Sequence, residues 1–393
     1  MTREPDERAT GSGSSGDHQD RRLLLQCRTS QVTRAAEVAD RPGSGLVVTA
    51  ERDNLRGCLG RVRHLLEVDH YRRPVLLDAA RYAGAGRLPA SAGFDRRWIE
   101  CQRDLGLPVL TDSGYLAPDD MTGLVGILEG AARLGDATAV LPVHPGWLAD
   151  RYARNALLRY VNAVGVPVAV IVERPPDPVD GTAALVGLLH LLRCDVPVLL
   201  LRAGLSALGA LCSGAAAAAI GTDSALRQLD LPAGPPGHHP PTHGHGPSAL
   251  VRQCLSHQPL TEIEATRRRH PDNGMWQCRC ATCDGRDLGW LARLPEEQRA
   301  PLAARHSVDV LLDLRAELTG PSVQLNQWSW QARCAAAASR RREVGWDRLP
   351  TLDYWQRAIP APTSASSAVP APRRRRPERT GFRRVPSGPI GSD

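Results

Sequence analysis

Eight short apolar runs constrain this chain more than any other feature: LLLQC at Leu23, GLVVTA at Gly45, PVLLDAA at Pro74, PVLTDSG at Pro108, TAVLPVH at Thr138, VPVAVIVE at Val166, VPVLLLRA at Val196 and AAAAIGT at Ala216. None of them alternates apolar with polar. Strands covered by helices on both sides read as continuous apolar runs, which is the pattern of a parallel sheet. From Pro74 onward the runs recur every ~20 to 35 residues, and most of the gaps carry an amphipathic helical pattern, as strand and crossover-helix units require. An open doubly wound sheet uses the same units. The polar residues favour a closed (β/α)8 barrel of the TIM type. Asp78 and Arg81, Asp112 and Ser113, His144, Glu173 and Arg174, Arg202, and Thr222 with Asp223 all stand at the C-terminal ends of their runs. In a barrel those ends converge on one mouth, where active sites are built.

A second feature lies late in the chain, in WQCRCATCDGRDLGW. Cys278, Cys280 and Cys283 crowd into six residues, and His306 follows at the head of another amphipathic run. Thiolates with a neutral imidazole suit a tetrahedral zinc ion, and four protein ligands leave no position open for water, so the expected metal is structural. His257 and His270 are also within reach along the chain as the fourth donor. Ten cysteines in 393 residues, three of them clustered, do not resemble a secreted disulfide framework.

The chain contains no lysine, which excludes Schiff-base chemistry and the phosphate-loop lysine. A net charge of +7 favours an anionic partner, although part of it sits in the tail between Arg373 and Arg384. The N-terminus has no apolar signal region and no run is long enough for a membrane span, so a soluble cytoplasmic protein without membrane attachment is expected. Residues 1–20 and the Pro, Ser, Ala and Arg-rich tail 359–393 are expected to be disordered. Between them, 21–260 form the barrel and 261–358 a zinc-binding helical subdomain. The segment LPAGPPGHHPPTHGHGP, from Leu231 to Pro247, reads as an exposed loop.

PVLTDSG at a barrel mouth, IGT at a later strand end, and a Cys-x-Cys-x2-Cys cluster with a distant histidine together resemble the queuine/archaeosine tRNA-guanine transglycosylase family, over Pro74 to Leu318. The resemblance implies a (β/α)8 barrel with a zinc-binding insertion near its C-terminal end. The activity it implies is exchange of guanine in a nucleic acid for a deazaguanine, as in queuosine modification of tRNA. It implies zinc ligands Cys278, Cys280, Cys283 and His306, and a catalytic pocket aspartate at Asp112, with Ser113 and Gly114 beside it. Tyr115 replaces the motif's second glycine, which removes glycine-only backbone angles and brings a ring into the pocket. Gly221, in AIGT, falls on the segment before the family's last barrel strand. His144 stands where the family has a second pocket aspartate, and Glu173 lies near its pocket glutamine. The family's nucleophilic aspartate has no counterpart between Asp223 and Cys278.

Base exchange needs one carboxylate to capture the ribose carbon and an acid/base group for the ring protons. Asp112 suits one role, and Asp78, Glu173 or Asp223 the other, with Asp223 the candidate after the last run; Asp230, Glu262 and Glu264 are candidates by chemistry alone. Arg202 and Arg174 could hold phosphates at the rim. Arg267, Arg268, Arg269, Arg279 and Arg286 offer a basic surface beside the cluster, and Trp276, Trp328 and Trp330 offer stacking faces. The expected partners are tRNA or DNA and a purine or deazaguanine base, and the chain could act as a homodimer. Two other readings are a non-catalytic zinc-containing barrel that binds nucleic acid or a partner subunit, and a barrel enzyme acting on a small molecule.

Overall fold

The structure is a computed structural model that describes residues 21–51, 54–173, 181–227, 229 and 246–359. The N-terminal segment 1–20, Arg174, Asp230, most of the Pro/Gly/His loop and the tail from 360 lie outside the described residues.

Each of the eight apolar runs forms a strand: β1 (Arg22–Arg28), β2 (Ser44–Thr49), β3 (Val75–Asp78), β4 (Val109–Leu110), β5 (Ala137–Val143), β6 (Val168–Val172), β7 (Val198–Ala203) and β8 (Ala217–Gly221). All pairings are parallel, in the order β3-β2-β1-β8-β7-β6-β5-β4, so that β8 pairs with β1 as a closed barrel requires. The remaining seam, between β3 and β4, is joined just beyond the strand ends. There the Tyr115 N–H donates to the Leu88 carbonyl at 2.7 Å, and the Ala90 N–H to the Tyr115 carbonyl at 2.9 Å. Gly114 has to be a glycine for this seam, because a Cβ there would stand 2.1 Å from the Pro89 carbonyl oxygen.

Between the strands run α1 (Val32–Ala39), α2 (Leu55–Glu67), α3 (Arg96–Asp104), α4 (Met121–Leu134), the single turn α5 (Gly146–Ala149), α6 (Arg151–Val164), α7 (Gly181–Leu191) and α8 (Ser206–Cys212). Asp95, Asp120 and Asp150 cap α3, α4 and α6 by accepting first-turn N–H bonds, which marks where the sequence turns from loop to helix. The strand residues divide by parity. Leu24, Val47, Leu76, Leu110, Val140, Ala169, Ile171, Ala217 and Ala219 pack together inside the barrel, while Leu23, Leu25, Leu46, Val48, Val75 and Leu77 pack outward under the helices. Both faces are buried, which is why the runs do not alternate.

After β8 the chain leaves the barrel. A two-stranded antiparallel hairpin, β9 (Ser248–Val251) and β10 (Ser256–Pro259), leads into α9 (Leu260–Arg269), the cysteine knuckle and a single turn, α10 (Gly289–Ala292). Then α11 (Glu296–Leu318) returns and packs against both α1 and α8. That is the slot of a barrel's eighth helix. The hairpin and the knuckle are therefore an insertion between the eighth strand and its helix. Finally α12 (Val323–Glu343) and α13 (Pro350–Ala358) wrap the outer wall over α8 and α7. Trp330 and Trp355, at 5.9 Å edge to face, close over Gly209, where a Cβ would meet both rings. No described helix is long and apolar enough to cross a membrane.

Candidate metal centre and barrel mouth

The knuckle is a tight antiparallel turn. Cys283 and Asp284 donate their N–H groups to the Cys280 carbonyl, Gly285 donates to Cys278, and the left-handed residues Asp284 and Gly285 turn the chain back. This backbone aims three sulfurs at one point. α11 brings the fourth donor: His306 Nδ1 lies 3.7, 3.3 and 3.2 Å from the sulfurs of Cys278, Cys280 and Cys283. All four side chains are buried, and their ligand atoms lie within 4.8 Å of one another. Metal bonds of about 2.0 to 2.3 Å put tetrahedral ligands ~3.5 to 3.8 Å apart, and the three distances from His306 to the sulfurs stand close to those edges.

The surrounding bonds favour metal binding. His306 Nε2 lies 2.9 Å from the Leu250 carbonyl on β9, which can only accept. The proton is therefore on Nε2, and the Nδ1 lone pair faces the sulfurs. Trp290 Nε1 donates to Cys283 Sγ at 3.3 Å, and Arg286 stacks on the Trp290 ring. Hydrogen bonds from Cys280 and then Cys283 hold the Cys278 thiol far below its usual range, while Cys278 pushes Cys283 up. Asp309, one turn beyond His306, accepts from the Thr282 N–H and hydroxyl and is ion-paired with Arg41 from the loop after α1, which ties the knuckle to the barrel wall. His257 and His270 stand outside the cluster: burial holds His257 neutral, down at about 3, and the His270 carbonyl accepts the Trp276 indole N–H.

At the mouth, parity places Gln26, Thr49, Asp78, Asp112 and Glu173 in one polar layer above the apolar interior, all of them buried. Asp78 is the most heavily bonded. Its Oδ2 accepts from Gln26 at 2.8 Å, Tyr82 at 2.8 Å and Thr49 at 3.2 Å, with Arg202 Nε 3.5 Å away, and its Oδ1 accepts the Ala80 N–H. Arg202 would point outward by parity. A register shift between Leu200 and Ala203, with Arg202 at φ 49°, turns it inward, and its own N–H donates to Gln26. Bulges re-aim side chains in this way, and left-handed non-glycine residues concentrate where function requires them.

Glu173 accepts from Arg87 at 2.8 Å and from the Tyr115 hydroxyl, and the Arg87 guanidinium stacks 3.8 Å over the Tyr115 ring. Tyr115 thus fills the mouth as a hydrogen-bonded wall. Burial and then Glu173 raise its phenol, and burial raises that of Tyr82, so both remain proton donors to their carboxylates. Asp112 accepts the Asp95 N–H at the start of α3 and is ion-paired with Arg81. Burial raises its carboxyl despite these partners.

The other sequence candidates have local roles. Ser113 bonds Thr111 at 2.8 Å, His144 Nδ1 accepts the Gly146 N–H, and Gly221 is required by the turn after β8, where a Cβ would stand 2.2 Å from Leu226. Asp223 is half-buried, ion-paired with Arg28 at 3.1 Å, and accepts from the Leu226 N–H, so it is engaged at the outer rim and does not belong to the inner layer. The segment containing Gly221 is itself the last barrel strand, β8, and not the one before it. Trp276 and Trp330 are core residues, fully buried. Arg267, Arg268 and Arg269 are ion-paired with Glu264 and Glu262. Gln26, Thr49, Tyr82 and Arg87 were missed from the sequence; the signal for the first two was a polar residue at an inward position of an otherwise apolar run.

Comparison of the sequence with protein-family models gives no match, and comparison with curated proteins gives no relative.

Proposed function

We propose that the chain is a transglycosylase-type enzyme that exchanges guanine for a deazaguanine in tRNA or DNA. The observation that carries this reading is the position of the metal knuckle in the chain: it is inserted between the eighth barrel strand and the helix that completes the barrel, in a protein whose barrel mouth is lined with buried carboxylates. The ion is zinc. Three thiolates and an imidazole in tetrahedral array suit zinc and not the hard oxygen-seeking cations, and a site closed by four protein donors fixes a rim without taking part in chemistry.

Glu173 captures the ribose carbon as the old base leaves. Its counter-ion Arg87 is partly exposed, whereas the arginine facing Asp78 is buried. Asp112, raised by burial, holds a proton more readily than an exposed aspartate and serves as the acid that receives and returns the ring proton. Taking the target base out of its stack costs a few kcal/mol, offset by contacts along the backbone.

Incorporation of labelled guanine into tRNA and into duplex DNA tests the proposal. Exchange should be lost in Glu173→Gln and Asp112→Ala and kept in Asp223→Ala; a dependence on Asp223 instead would refute the role given to Glu173. A second reading, a non-catalytic barrel that binds nucleic acid, is favoured by the arginine already paired with each inner carboxylate. It prevails if polynucleotide binds in a salt-sensitive manner and no guanine exchanges.

A further inference from the structure

The loop after β3 supplies a guanidinium to each of two mouth carboxylates that belong to other strands. Arg81 is ion-paired with Asp112, beyond β4, and Arg87 with Glu173, beyond β6. The loop backbone is closed on itself: the Leu88 N–H donates to the Arg81 carbonyl at 2.8 Å, the Arg87 N–H to Gly84 at 3.1 Å and the Ala83 N–H to Ala80 at 3.1 Å. Compact loops whose ends meet are held by their own bonds, so Arg81 and Arg87 project from the two feet of a rigid unit. The carboxylates are 1% exposed and the two arginine side chains 22% and 27%. Each pair therefore joins a buried anion, which cannot reach solvent, to a cation at the edge of the mouth.

We propose that Arg81 and Arg87 are exchangeable phosphate-binding residues. In the free protein they neutralise Asp112 and Glu173; when a polynucleotide lies across the mouth its phosphates take the guanidinium groups, and the two carboxylates are released to the substrate. An arginine fork binds phosphate and carboxylate with the same geometry, so a phosphate can take the carboxylate's place, and what the exchange disturbs is the Arg81 bond to the Gly93 carbonyl and the stacking of Arg87 on Tyr115. A free base or nucleoside has no phosphate and leaves the carboxylates masked. The substrate class is then a phosphodiester chain, selected by what it offers the arginines. The inference rests on the base-exchange reading for the identity of the substrate, and on the geometry of the loop alone for the arginines.

The test is the affinity of the full chain for a short single-stranded RNA and for guanosine, in wild type, Arg81→Gln, Arg87→Gln and Arg87→Lys. RNA binding should weaken about tenfold in each glutamine variant, the loss of one charged hydrogen-bonding group, while guanosine binding stays level or tightens because a carboxylate has been unmasked. Arg87→Lys keeps the charge but not the planar fork, and should recover only part of the RNA affinity. If both ligands weaken in parallel the arginines only support the fold, and if RNA affinity is unchanged they do not meet phosphate; either result overturns the inference. Arginine-dependent RNA binding without guanine exchange would uphold it and remove the base-exchange reading. Exchange that is indifferent to Arg87→Gln would do the reverse, and a wild type that binds neither ligand would end both.

Discussion

The metal centre and the barrel mouth are both clusters of buried polar groups, but they are completed differently. At the knuckle three thiols and an imidazole converge within 4.8 Å, a set that repels itself once the sulfurs ionise. At the mouth Asp78, Asp112 and Glu173 each face a guanidinium supplied by the chain. The first cluster has the donors to hold a cation from outside, and a metal bound there becomes part of the fold. The second is already satisfied, so a ligand there has to compete with the protein's own ion pairs.

Removing the ion breaks this contrast most severely. A structural zinc contributes on the order of 10 kcal/mol in small domains, comparable with the whole net stability of a protein, about 5 to 15 kcal/mol. Cys280→Ser should leave the purified chain without its one metal and with a much lower melting temperature, as measured by elemental analysis and calorimetry. Unchanged metal content would show that the sulfur is not a ligand.

At the mouth the corresponding change is Asp78→Ala. It strands Arg202, which is 8% exposed, and breaking a buried pair from one side costs about 3 to 5 kcal/mol. Urea unfolding measures this, and adding Arg202→Met should recover part of the loss. A double variant no better than the single would mean that Asp78 acts through Gln26, Thr49 and Tyr82 and not through the arginine.

The smallest effect concerns pH. Burial raises the Asp112 carboxyl, so the folded chain binds that proton more readily than the unfolded one. Its ionised form therefore costs stability above the folded value, and the cost fades as pH falls through that value towards the ordinary aspartate range. Asp112→Asn removes the titration. Its stability relative to wild type should be more favourable at pH 7 than at pH 4; a difference that grows towards acid would show that the Arg81 pair outweighs burial.

Much of this was legible because the responsible forces are local. Continuous apolar runs such as VPVAVIVE and VPVLLLRA can only be strands buried on both faces, and three cysteines within six residues can converge through a single turn. The choice of His306 over His257 and His270 was not local, since it depends on α11 returning beside β9. The mouth was legible in position and not in pairing. Asp112 and Glu173 were placed at strand ends, but nothing along the chain tells that one loop carries the arginines for both. The inward turn of Arg202 was hidden for a related reason: simple alternation points it outward, and only the shifted register against β8 reverses it. Trp276 and Trp330 read from the sequence as either stacking faces or core, and the structure makes them core, because burial depends on which helices close over them.

The sequence by itself determined the eight strands, their parallel sense and three of the four donors of a metal site, since strand burial and ligand spacing are properties of short segments; closure into a barrel was decided by the pairing of β8 with β1. Which arginine meets which carboxylate, which histidine completes the metal set and which glycines are obligatory were decided by the tertiary structure. Most of those outcomes are set by contacts between residues far apart in the chain, 31 positions for Arg81 and Asp112 and 86 for Arg87 and Glu173, and such contacts exist only once hydrophobic burial has closed the barrel.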